Sequence, residues 1–438
     1  MDITLITIVA VGLIFVFMAL GTPVFAALAL SGAFGIIMVE DFSFLMNRLK
    51  TFSFSNTANY SLTVIPLFVL MGAFAHHANV GKRLFHVANK WVGHWPGGLA
   101  MAGILTSAGF AATSGSSVAT AATVGSVAIP EMKKAGYDPR LAAGSVAAGG
   151  VLGVLIPPSV LLIFYAAITE VSAGKMLIAG IVPGILSTLV FMAGVAIIGR
   201  SERNSASRRV KAPIGERLRS AGQAWQVVVL FVIVLGGIYL GLVTPTEAGA
   251  IGAVAALLML LLGREGRAKL KENLLDSFRS TTTTTVMILF TMIGAGIFSY
   301  FLTLVQVPHI VAAAITESGI SPYLIVGVLL LLYIPLGMFL DAFSMMVITL
   351  PIMFPTVVGL GFDPIWFGIL CVKMCEIGLI TPPVGLNCFV IAGIDRDTPL
   401  SDVFQGSFWF VLMELVTAVL IFAFPAIVTW LPDNMMGR

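Results

Sequence analysis

Two groups of residues in this chain combine oxygen ligands with helix-breaking residues inside apolar sequence. The first group joins a hydroxyl-rich turn to a later proline pair and consists of Ser114, Gly115, Ser116, Ser117, Gly153, Ile156 and Pro157. Hydroxyl and carbonyl oxygens are the ligands that hard cations take in proteins, and a singly charged ion needs no carboxylate among them. The group therefore predicts a site for an alkali cation or a substrate. The alternative is that the hydroxyls only cap a helix.

The second group has the same layout and adds one negative charge. It consists of Gly337, Asp341, Gly378, Thr381 and Pro382. Two adjacent prolines cannot continue a helix, because they lack N–H donors and their rings clash with the preceding turn. Carbonyls freed at such a break are tolerated at membrane depth only where they are buried in protein or line a wet cavity, and there they can bind a cation. Asp341 is a functional candidate as an intramembrane carboxylate, and its alternative role is a helix cap.

Four further polar residues lie beside these groups and are candidates for a substrate path: Ser159, Lys373, Glu376 and Asn387. Lys373 and Glu376 are three residues apart, so one helical face brings them within ion-pair reach. A buried ion pair is weak evidence for stability. The pair is therefore either a structural lock or part of the substrate path.

The composition is that of a polytopic membrane protein. Of 438 residues, 58% are hydrophobic and 10% are charged, whereas a soluble domain carries roughly 25% charged residues. We therefore expect a lipid bilayer as the surroundings and no nucleic-acid partner. The three cysteines lack the spacing of a zinc site. The sequence also lacks nucleotide-binding, metalloprotease and hydrolase motifs. We therefore expect no enzymatic activity, no organic cofactor and an ion gradient as the energy source.

The apolar segments predict an all-α protein with re-entrant helical hairpins. The segments on either side of the polar turn at 113–117 are only about 12 to 17 residues long, short of the roughly 20 that cross a bilayer. We therefore predict a hairpin over 96–130, followed by a broken helix over 141–169. The same order recurs as a hairpin over 321–358 and a broken helix over 365–394.

The second half of the chain repeats the first at an offset of 225 residues. Seven turn and break residues recur at that offset: Pro130, Gly136, Asp138, Pro139, Gly153, Pro157 and Pro158 fall on Pro355, Gly361, Asp363, Pro364, Gly378, Pro382 and Pro383. These positions indicate internal duplication, because chance matches between apolar segments would fall on interchangeable Leu and Val residues. We therefore predict N-terminal scaffold helices over 1–60, a first repeat over 61–199, cytoplasmic loops with a central scaffold helix pair over 200–280, a second repeat over 281–430 and a C-terminal tail over 431–438.

The distribution of Lys and Arg predicts the orientation of the chain. Cytoplasmic segments of membrane proteins carry an excess of these residues. With both termini on the periplasmic side, 19 of the 24 Lys and Arg residues are cytoplasmic. The first hairpin then opens inward and the second outward, so the two halves are inverted repeats. Inverted repeats with binding sites at broken helices are typical of secondary transporters.

The chain resembles the large membrane subunit of tripartite ATP-independent periplasmic (TRAP) transporters, the DctM-like family. The resemblance extends from end to end and is most specific in Ser114-Gly115-Ser116-Ser117, Asp138-Pro139, Ile156-Pro157-Pro158-Ser159, Gly337 through Asp341, and Thr381-Pro382-Pro383-Val384-Gly385. It implies an elevator-type transport domain in which one sodium ion binds at the first hairpin with 153–158, and another at the second hairpin with 378–383. It also implies a small four-helix membrane subunit and a soluble periplasmic substrate-binding protein that delivers an organic acid.

We therefore expect sodium-driven import of an organic acid across the bacterial inner membrane. The alternative is a self-sufficient sodium/dicarboxylate symporter of the same inverted-hairpin architecture, which needs no soluble receptor. A channel-like component is a third hypothesis, and it has no need of two aligned helix breaks.

Overall fold

The computed structural model describes residues 3–58, 60–200, 211–307, 310 and 319–436, and these ranges contain helices and no strands. Six helices in them are long and apolar enough to cross a membrane, or up to eight if each bent helix pair counts as one span. The predicted short segment at 308–318 lies outside the described residues, apart from Ile310.

The first part of the chain forms a series of helices and then a hairpin. The leading helices are Ile3–Ala19, Val24–Val39, Phe42–Thr57, Val64–His77 and Val80–Val92. Hairpin 1 consists of Gly98–Ser114 and Ser117–Lys134, and broken helix 1 consists of Pro139–Leu155 and Val160–Thr169, with a 42° bend between its halves. Helices Ala173–Ala179 and Ile181–Ile198 follow.

The second part begins with three long helical stretches, Ile214–Tyr239, Pro245–Leu262 and Leu270–Leu304. Hairpin 2 consists of Pro322–Leu331, Tyr333–Gly337 and Ala342–Gly359. Broken helix 2 consists of Pro364–Gly378 and Leu386–Ile394, and the chain ends with Leu400–Ala423 and Ala426–Met436. Both hairpins and both broken helices that the sequence predicts are therefore present.

The duplication is exact to the residue in the bounds of the second hairpin arms. The second arm of hairpin 1 spans Ser117–Lys134, and adding 225 to both bounds gives the second arm of hairpin 2, Ala342–Gly359. Each of these arms begins after a capping side chain, Ser116 or Asp341, that accepts a backbone N–H of the first turn. Local capping chemistry thus sets the same helix start in both repeats.

The two broken helices run antiparallel. At one end, the Tyr165 hydroxyl near the end of broken helix 1 donates a 2.7 Å hydrogen bond to the carbonyl of Pro364, the first residue of broken helix 2. At the other end, Lys133 of hairpin 1 pairs with Asp395 just after broken helix 2, with 2.6 Å between Nζ and Oδ1. The repeats are therefore inverted relative to each other, as the charge pattern predicts.

Helical structure extends further than the sequence suggests. The basic stretch at 200–220 contains the helix Ile214–Ala221, and the charged stretch at 264–280 is helical from Leu270 as part of a 35-residue helix. Lys, Arg, Glu and Leu are strong helix formers, so a charged segment next to a membrane span can simply prolong it. The expected tail at 431–438 is helical to Met436, and Ala426–Met436 is separated from the preceding helix at Pro425.

Close backbone contacts pack Val24–Val39 against the long helix Leu270–Leu304. A Cβ atom at Gly32 of Val24–Val39 would lie 2.7 Å from the Cα of Phe298 on Leu270–Leu304. A Cβ atom at Gly294 of the same long helix would collide with the carbonyl of Phe25. Glycine on both sides allows these two helices to approach each other along their length.

Candidate functional site

The tip of hairpin 1 is a network of hydroxyl and carbonyl oxygens. The Ser114 and Thr120 hydroxyls lie 2.8 Å apart, and Thr120 donates a 2.7 Å hydrogen bond to the Ser116 carbonyl. Ser116 also caps the second arm, because its Oγ accepts the N–H of Ala119 at 3.4 Å. Capping and an oxygen-rich tip therefore coexist, and Gly115 makes the turn between the arms with φ of +60°.

Broken helix 1 packs its break directly against that tip. The Val160 N–H donates to the Gly115 carbonyl at 3.4 Å. A Cβ atom at Gly153 would lie 2.6 Å from both the Ser116 carbonyl oxygen and the Thr120 Oγ1. Only a glycine lets the tip oxygens approach the helix here. The break residues Pro157 and Ser159 are buried, whereas Ile156 is partly exposed.

Ser159 is fully engaged in local structure. Its hydroxyl donates to the Val154 carbonyl and accepts the N–H of Leu162, so it caps the second half of broken helix 1. The residue is completely buried. Ser159 therefore joins the two halves of the helix across the break.

The tip of hairpin 2 places a carboxylate where hairpin 1 has Ser116. The Oδ1 of Asp341 accepts the N–H groups of Phe343 and Ser344 at 3.0 and 3.1 Å, and its Oδ2 accepts the Ser344 hydroxyl. Asp341 is partly exposed. It is therefore a helix cap whose carboxylate still faces open space.

Broken helix 2 meets hairpin 2 through glycine on both sides. A Cβ atom at Gly378 would lie 2.5 Å from the Cα of Gly337, and one at Gly337 would lie 2.7 Å from the Cα of Gly378. The Thr381 hydroxyl donates to the Ile377 carbonyl at 2.6 Å, and Pro382 is exposed. The break is also longer than in the first repeat, covering residues 379–385 rather than 156–159.

Asn387 joins the two broken helices to each other. Its Nδ2 donates to the Ala147 carbonyl at 3.3 Å, while its Oδ1 has no hydrogen-bond partner among the described residues. The side chain is completely buried. Asn387 therefore sits in the contact between the repeats rather than on a surface.

The two tips open onto one cavity of about 450 Å³. Its wall includes Ser114, Gly115, Ser116 and Ser117 of hairpin 1, Asp341 of hairpin 2, and Asp276, Ser280 and Thr284 on one face of Leu270–Leu304. The other candidate residues lie in the two broken helices, apart from Gly337 of hairpin 2, and do not line the cavity. They are Gly153, Ile156, Pro157, Ser159, Gly337, Lys373, Glu376, Gly378, Thr381, Pro382 and Asn387. Its volume lies within the roughly 300–1,000 Å³ range of small-molecule sites.

Four helix amino termini converge on this cavity. The wall contains the first residues of the helices that start at Ser117, Val160, Ala342 and Leu386. The amino end of a helix carries partial positive charge from its unpaired N–H groups and favours anions. Among the described residues that line the cavity, none is Lys or Arg. Helix termini therefore supply most of its positive potential, while the Asp341 and Asp276 carboxylates oppose it.

The arrangement suits a monovalent cation better than a transition metal. Within the described ranges, no three His, Cys, Asp or Glu side chains come close enough to hold a metal ion. The oxygens at the tips are hydroxyls, carbonyls and one carboxylate, which are hard ligands. Ser114, Gly115 and Asp341 keep oxygen atoms with unused acceptor capacity next to the cavity.

Lys373 forms an ion pair that the sequence did not identify. Its Nζ contacts the Oε2 of Glu414 on Leu400–Ala423. It lies 3.9 Å from the Glu376 Oε2 and donates no hydrogen bond to it. It also donates to the Ser187 hydroxyl at 2.7 Å. All three charged side chains are completely buried. Glu376 is therefore the weaker of two carboxylate partners.

Sequence reasoning missed Glu414 and Thr120, although both carried a signal. Glu414 is an acidic residue in an apolar span, which is the same criterion that selected Asp341. Thr120 lies four residues after Ser116, one helical turn away, where a hydroxyl reaches back to the preceding carbonyl.

Comparison with known proteins gives the family. Residues 11–427 match the family described as the tripartite ATP-independent periplasmic transporter, DctM component. The chain belongs to the DctM family of TRAP transporters. This DctM chain is 41% identical over 413 residues to the C4-dicarboxylate TRAP transporter large permease protein DctM of Pseudomonas aeruginosa, covering 94% of each protein.

Two further comparisons place the DctM chain among transporters. It is 35% identical over 387 residues to the isethionate TRAP transporter permease protein DctMQ of Oleidesulfovibrio alaskensis, covering 86% of this chain and 59% of that protein. The YdaH transporter of Alcanivorax borkumensis has the same fold, with a TM-score of 0.58 at 18% identity and coverage of 88% of this chain and 90% of that one. The DctM chain is thus a multi-pass membrane permease subunit of a TRAP transporter.

Proposed function

We propose that this chain imports a small organic acid across the bacterial inner membrane, driven by a sodium gradient. It works with a small four-helix membrane subunit and a periplasmic substrate-binding protein. The observation that carries the proposal is the cavity between the two hairpin tips, which four helix amino termini and the tip oxygens of both repeats surround.

The helix termini support an anionic cargo. A carboxylate in this cavity meets N–H dipoles rather than a fixed Lys or Arg, so it is held without a buried ion pair that would slow its release. The similarity to a C4-dicarboxylate permease at 41% identity favours a small dicarboxylate among the organic acids.

The tip oxygens support sodium as the coupling ion. In this proposal one sodium ion binds between the hairpin 1 tip (114–117) and the break that includes Gly153, Ile156 and Pro157. A second binds among Gly337, Asp341, Gly378, Thr381 and Pro382. Two sodium ions that enter down a potential of 100 mV contribute roughly 4.6 kcal/mol, more than a thousandfold in accumulation when substrate charge does not oppose it. Sodium at Asp341 also removes the repulsion between that carboxylate and an anionic substrate.

The contacts beside the cavity support an elevator motion. The His76 Nδ1 on scaffold helix Val64–His77 lies 2.6 Å from the Thr123 Oγ1 on hairpin 1, and a Cβ atom at Gly72 would lie 2.8 Å from the Ser114 Cα. In the described residues the contact of Val64–His77 with hairpin 1 thus includes one side-chain hydrogen bond and close packing at a glycine, and we expect a sliding motion to break such contacts readily. The hairpins and broken helices then move together past the scaffold and expose the cavity on either side.

The partners and orientation follow from the family and the charge distribution. The related permease named DctMQ is longer than this chain, which covers 59% of it, and we infer that the extra length supplies the small subunit that this chain recruits separately. Both termini lie on the periplasmic side in this proposal, because that places most Lys and Arg residues in the cytoplasm.

Uptake into proteoliposomes tests the proposal. Vesicles that contain this chain with its small subunit are given an inward sodium gradient and labelled organic acids, with and without the periplasmic protein. We expect uptake only when sodium and the soluble protein are both present. Undiminished uptake after replacement of sodium by potassium would refute the coupling, and uptake without the soluble protein would favour the self-sufficient symporter.

A further inference from the structure

A buried charged cluster ties broken helix 2 to two neighbouring helices. Lys373 contacts Glu414 on Leu400–Ala423 and donates to the Ser187 hydroxyl on Ile181–Ile198 at 2.7 Å. Ser187 in turn donates to the Pro183 carbonyl at 2.9 Å, one turn earlier on its own helix. Lys373, Glu414 and Ser187 are completely buried. One ammonium group therefore joins three helices deep in the protein, and we call these three residues the charged tie.

The charged tie is present in one repeat only. At the offset of 225 residues, Lys373 corresponds to Ala148 and Glu414 to Leu189. Ala148 is completely buried in broken helix 1, which packs well without any charge at that position. The fold itself therefore does not require an ion pair at this place in the helix.

Stability alone gives no reason for the pair. Removing an ammonium and a carboxylate from water costs several kcal/mol per ion, and apolar replacements of similar size are often neutral or stabilising. Such a pair gains a role when geometry matters, because it fixes the rotation and depth of a helix more narrowly than apolar contacts do. The charged tie therefore needs a nearby contact whose geometry it fixes.

The position of Lys373 on its helix shows that this contact is the one between broken helix 2 and hairpin 2. Gly378, the last residue of that helix, lies five residues further on and therefore roughly 140° around the helix axis. At Gly378 the helix meets hairpin 2, where a Cβ atom would lie 2.5 Å from the Gly337 Cα. The charged tie holds one side of the helix while hairpin 2 contacts the other. The last turn of the helix therefore lies between these two contacts. Its Ile377 carbonyl accepts the Thr381 hydroxyl.

We infer that Lys373 is a positioning residue for the second sodium site. Its ion pair with Glu414 holds the carbonyl end of broken helix 2 at the depth and rotation that bring Gly378 and the following break against the tip of hairpin 2. The inference rests on the proposed function, in which sodium binds at that break. Lys373 itself touches neither sodium nor substrate.

The test uses the whole transport complex in proteoliposomes and measures initial uptake against sodium concentration. In the double variant K373M/E414Q both members of the closer ion pair lose their charge. The variant K373M/E376Q/E414Q, measured in parallel, also neutralises the buried Glu376, so that no carboxylate of the cluster is left without its ammonium partner. We expect the half-saturating sodium concentration to rise at least tenfold, while the maximal rate and the substrate KM at saturating sodium stay within about twofold. The charge exchange K373E/E414K restores an opposite pair at the same positions, and we expect it to recover most of the sodium affinity.

Two further variants separate positioning from general destabilisation. Gly368→Ala on the same helix would bring a Cβ atom to 2.4 Å from the Tyr165 ring and 2.6 Å from the Met176 methyl group, away from the charged tie, and we expect a lower thermal stability with an unchanged sodium curve. Ser187→Ala removes the hydrogen bond from Lys373 and the local one to the Pro183 carbonyl but leaves the ion pair in place, and we expect a two- to threefold rise in half-saturating sodium. If the double variant fails to reach the membrane, Ser187→Ala decides, and an unchanged sodium curve there overturns the inference.

Three other outcomes would overturn the inference, and a fourth would refute the proposed function. A folded K373M/E414Q protein with wild-type sodium dependence overturns the positioning role, as does a charge exchange that recovers nothing. Loss of maximal rate at unchanged sodium affinity overturns it as well. Sodium-independent uptake by the wild-type complex refutes the proposed function instead, and removes this inference with it.

Discussion

Replacing Gly378 by alanine tests the contact between hairpin 2 and broken helix 2 most directly. The new Cβ atom would lie 2.5 Å from the Gly337 Cα, 3.0 Å from its carbonyl carbon and 3.3 Å from its carbonyl oxygen. Carbon atoms pack at about 3.5–4.0 Å, so the tip of hairpin 2 must retreat by roughly 1 Å or more. All three neighbouring atoms belong to the backbone, and no side-chain rotation can relieve the clash.

The magnitude follows from the cost of overpacking. Extra carbon in a packed interior typically costs about 1–3 kcal/mol. If this strain is absorbed by displacing the tip, sodium binding at the second site weakens by about 5- to 150-fold. We therefore expect Gly378→Ala to raise the half-saturating sodium concentration of uptake by that factor, with the protein still inserted in the membrane.

A matched control is available in the same broken helix. Gly393 lies in Leu386–Ile394, and a Cβ atom there would have no neighbour within 4 Å. Gly393→Ala should leave uptake unchanged and raise stability slightly, because alanine favours a helix over glycine by roughly 0.5–1 kcal/mol. Wild-type sodium dependence in Gly378→Ala would refute the proposed contact between tip and break as a determinant of sodium binding.

Three other substitutions separate binding from folding. Asp341→Asn keeps a good helix cap but removes the charge, so we expect normal expression with sodium affinity reduced at least tenfold; wild-type sodium affinity in the Asn variant, with expression lost only in an Ala variant, would point to capping alone. Ser116→Ala should lower thermal stability through loss of about 1 kcal/mol of capping energy, and it should also weaken sodium dependence. A lower melting temperature with an unchanged sodium curve would show that Ser116 is not part of the first sodium site. Gly294→Ala, whose Cβ atom would collide with the Phe25 carbonyl, should lower the melting temperature of the complex; a shifted sodium curve in folded protein would contradict a purely structural role for this contact.

Much of the local structure could be predicted because it depends on neighbours in the sequence. Ser116 and Asp341 accept N–H groups two or three residues ahead, and the proline pairs lack the donors that a helix needs. These interactions need no tertiary partner. The helix in the charged stretch from Leu270 was missed for a related reason, since polar composition was taken as a loop although the residues themselves favour a helix.

The site was less accessible to prediction where its contacts join distant residues. The sequence paired Lys373 with Glu376, three positions away, because helical spacing is the only geometry that a sequence provides. In the structure Lys373 instead contacts Glu414, which comes from another helix, and Glu376 stays 3.9 Å away. Side-chain direction and helix rotation decide between these carboxylates, and both depend on packing.

The sequence by itself determined the class of the protein, its duplication and its two pairs of tips and breaks. Hydropathy, proline chemistry and helix capping act within a few residues, so they can be predicted from the order of residues along the chain. Only the tertiary structure decided that both tips open onto one cavity, that four helix amino termini surround it, and that Gly337 meets Gly378. These contacts join segments tens to hundreds of residues apart, and their geometry is set by how the helices pack.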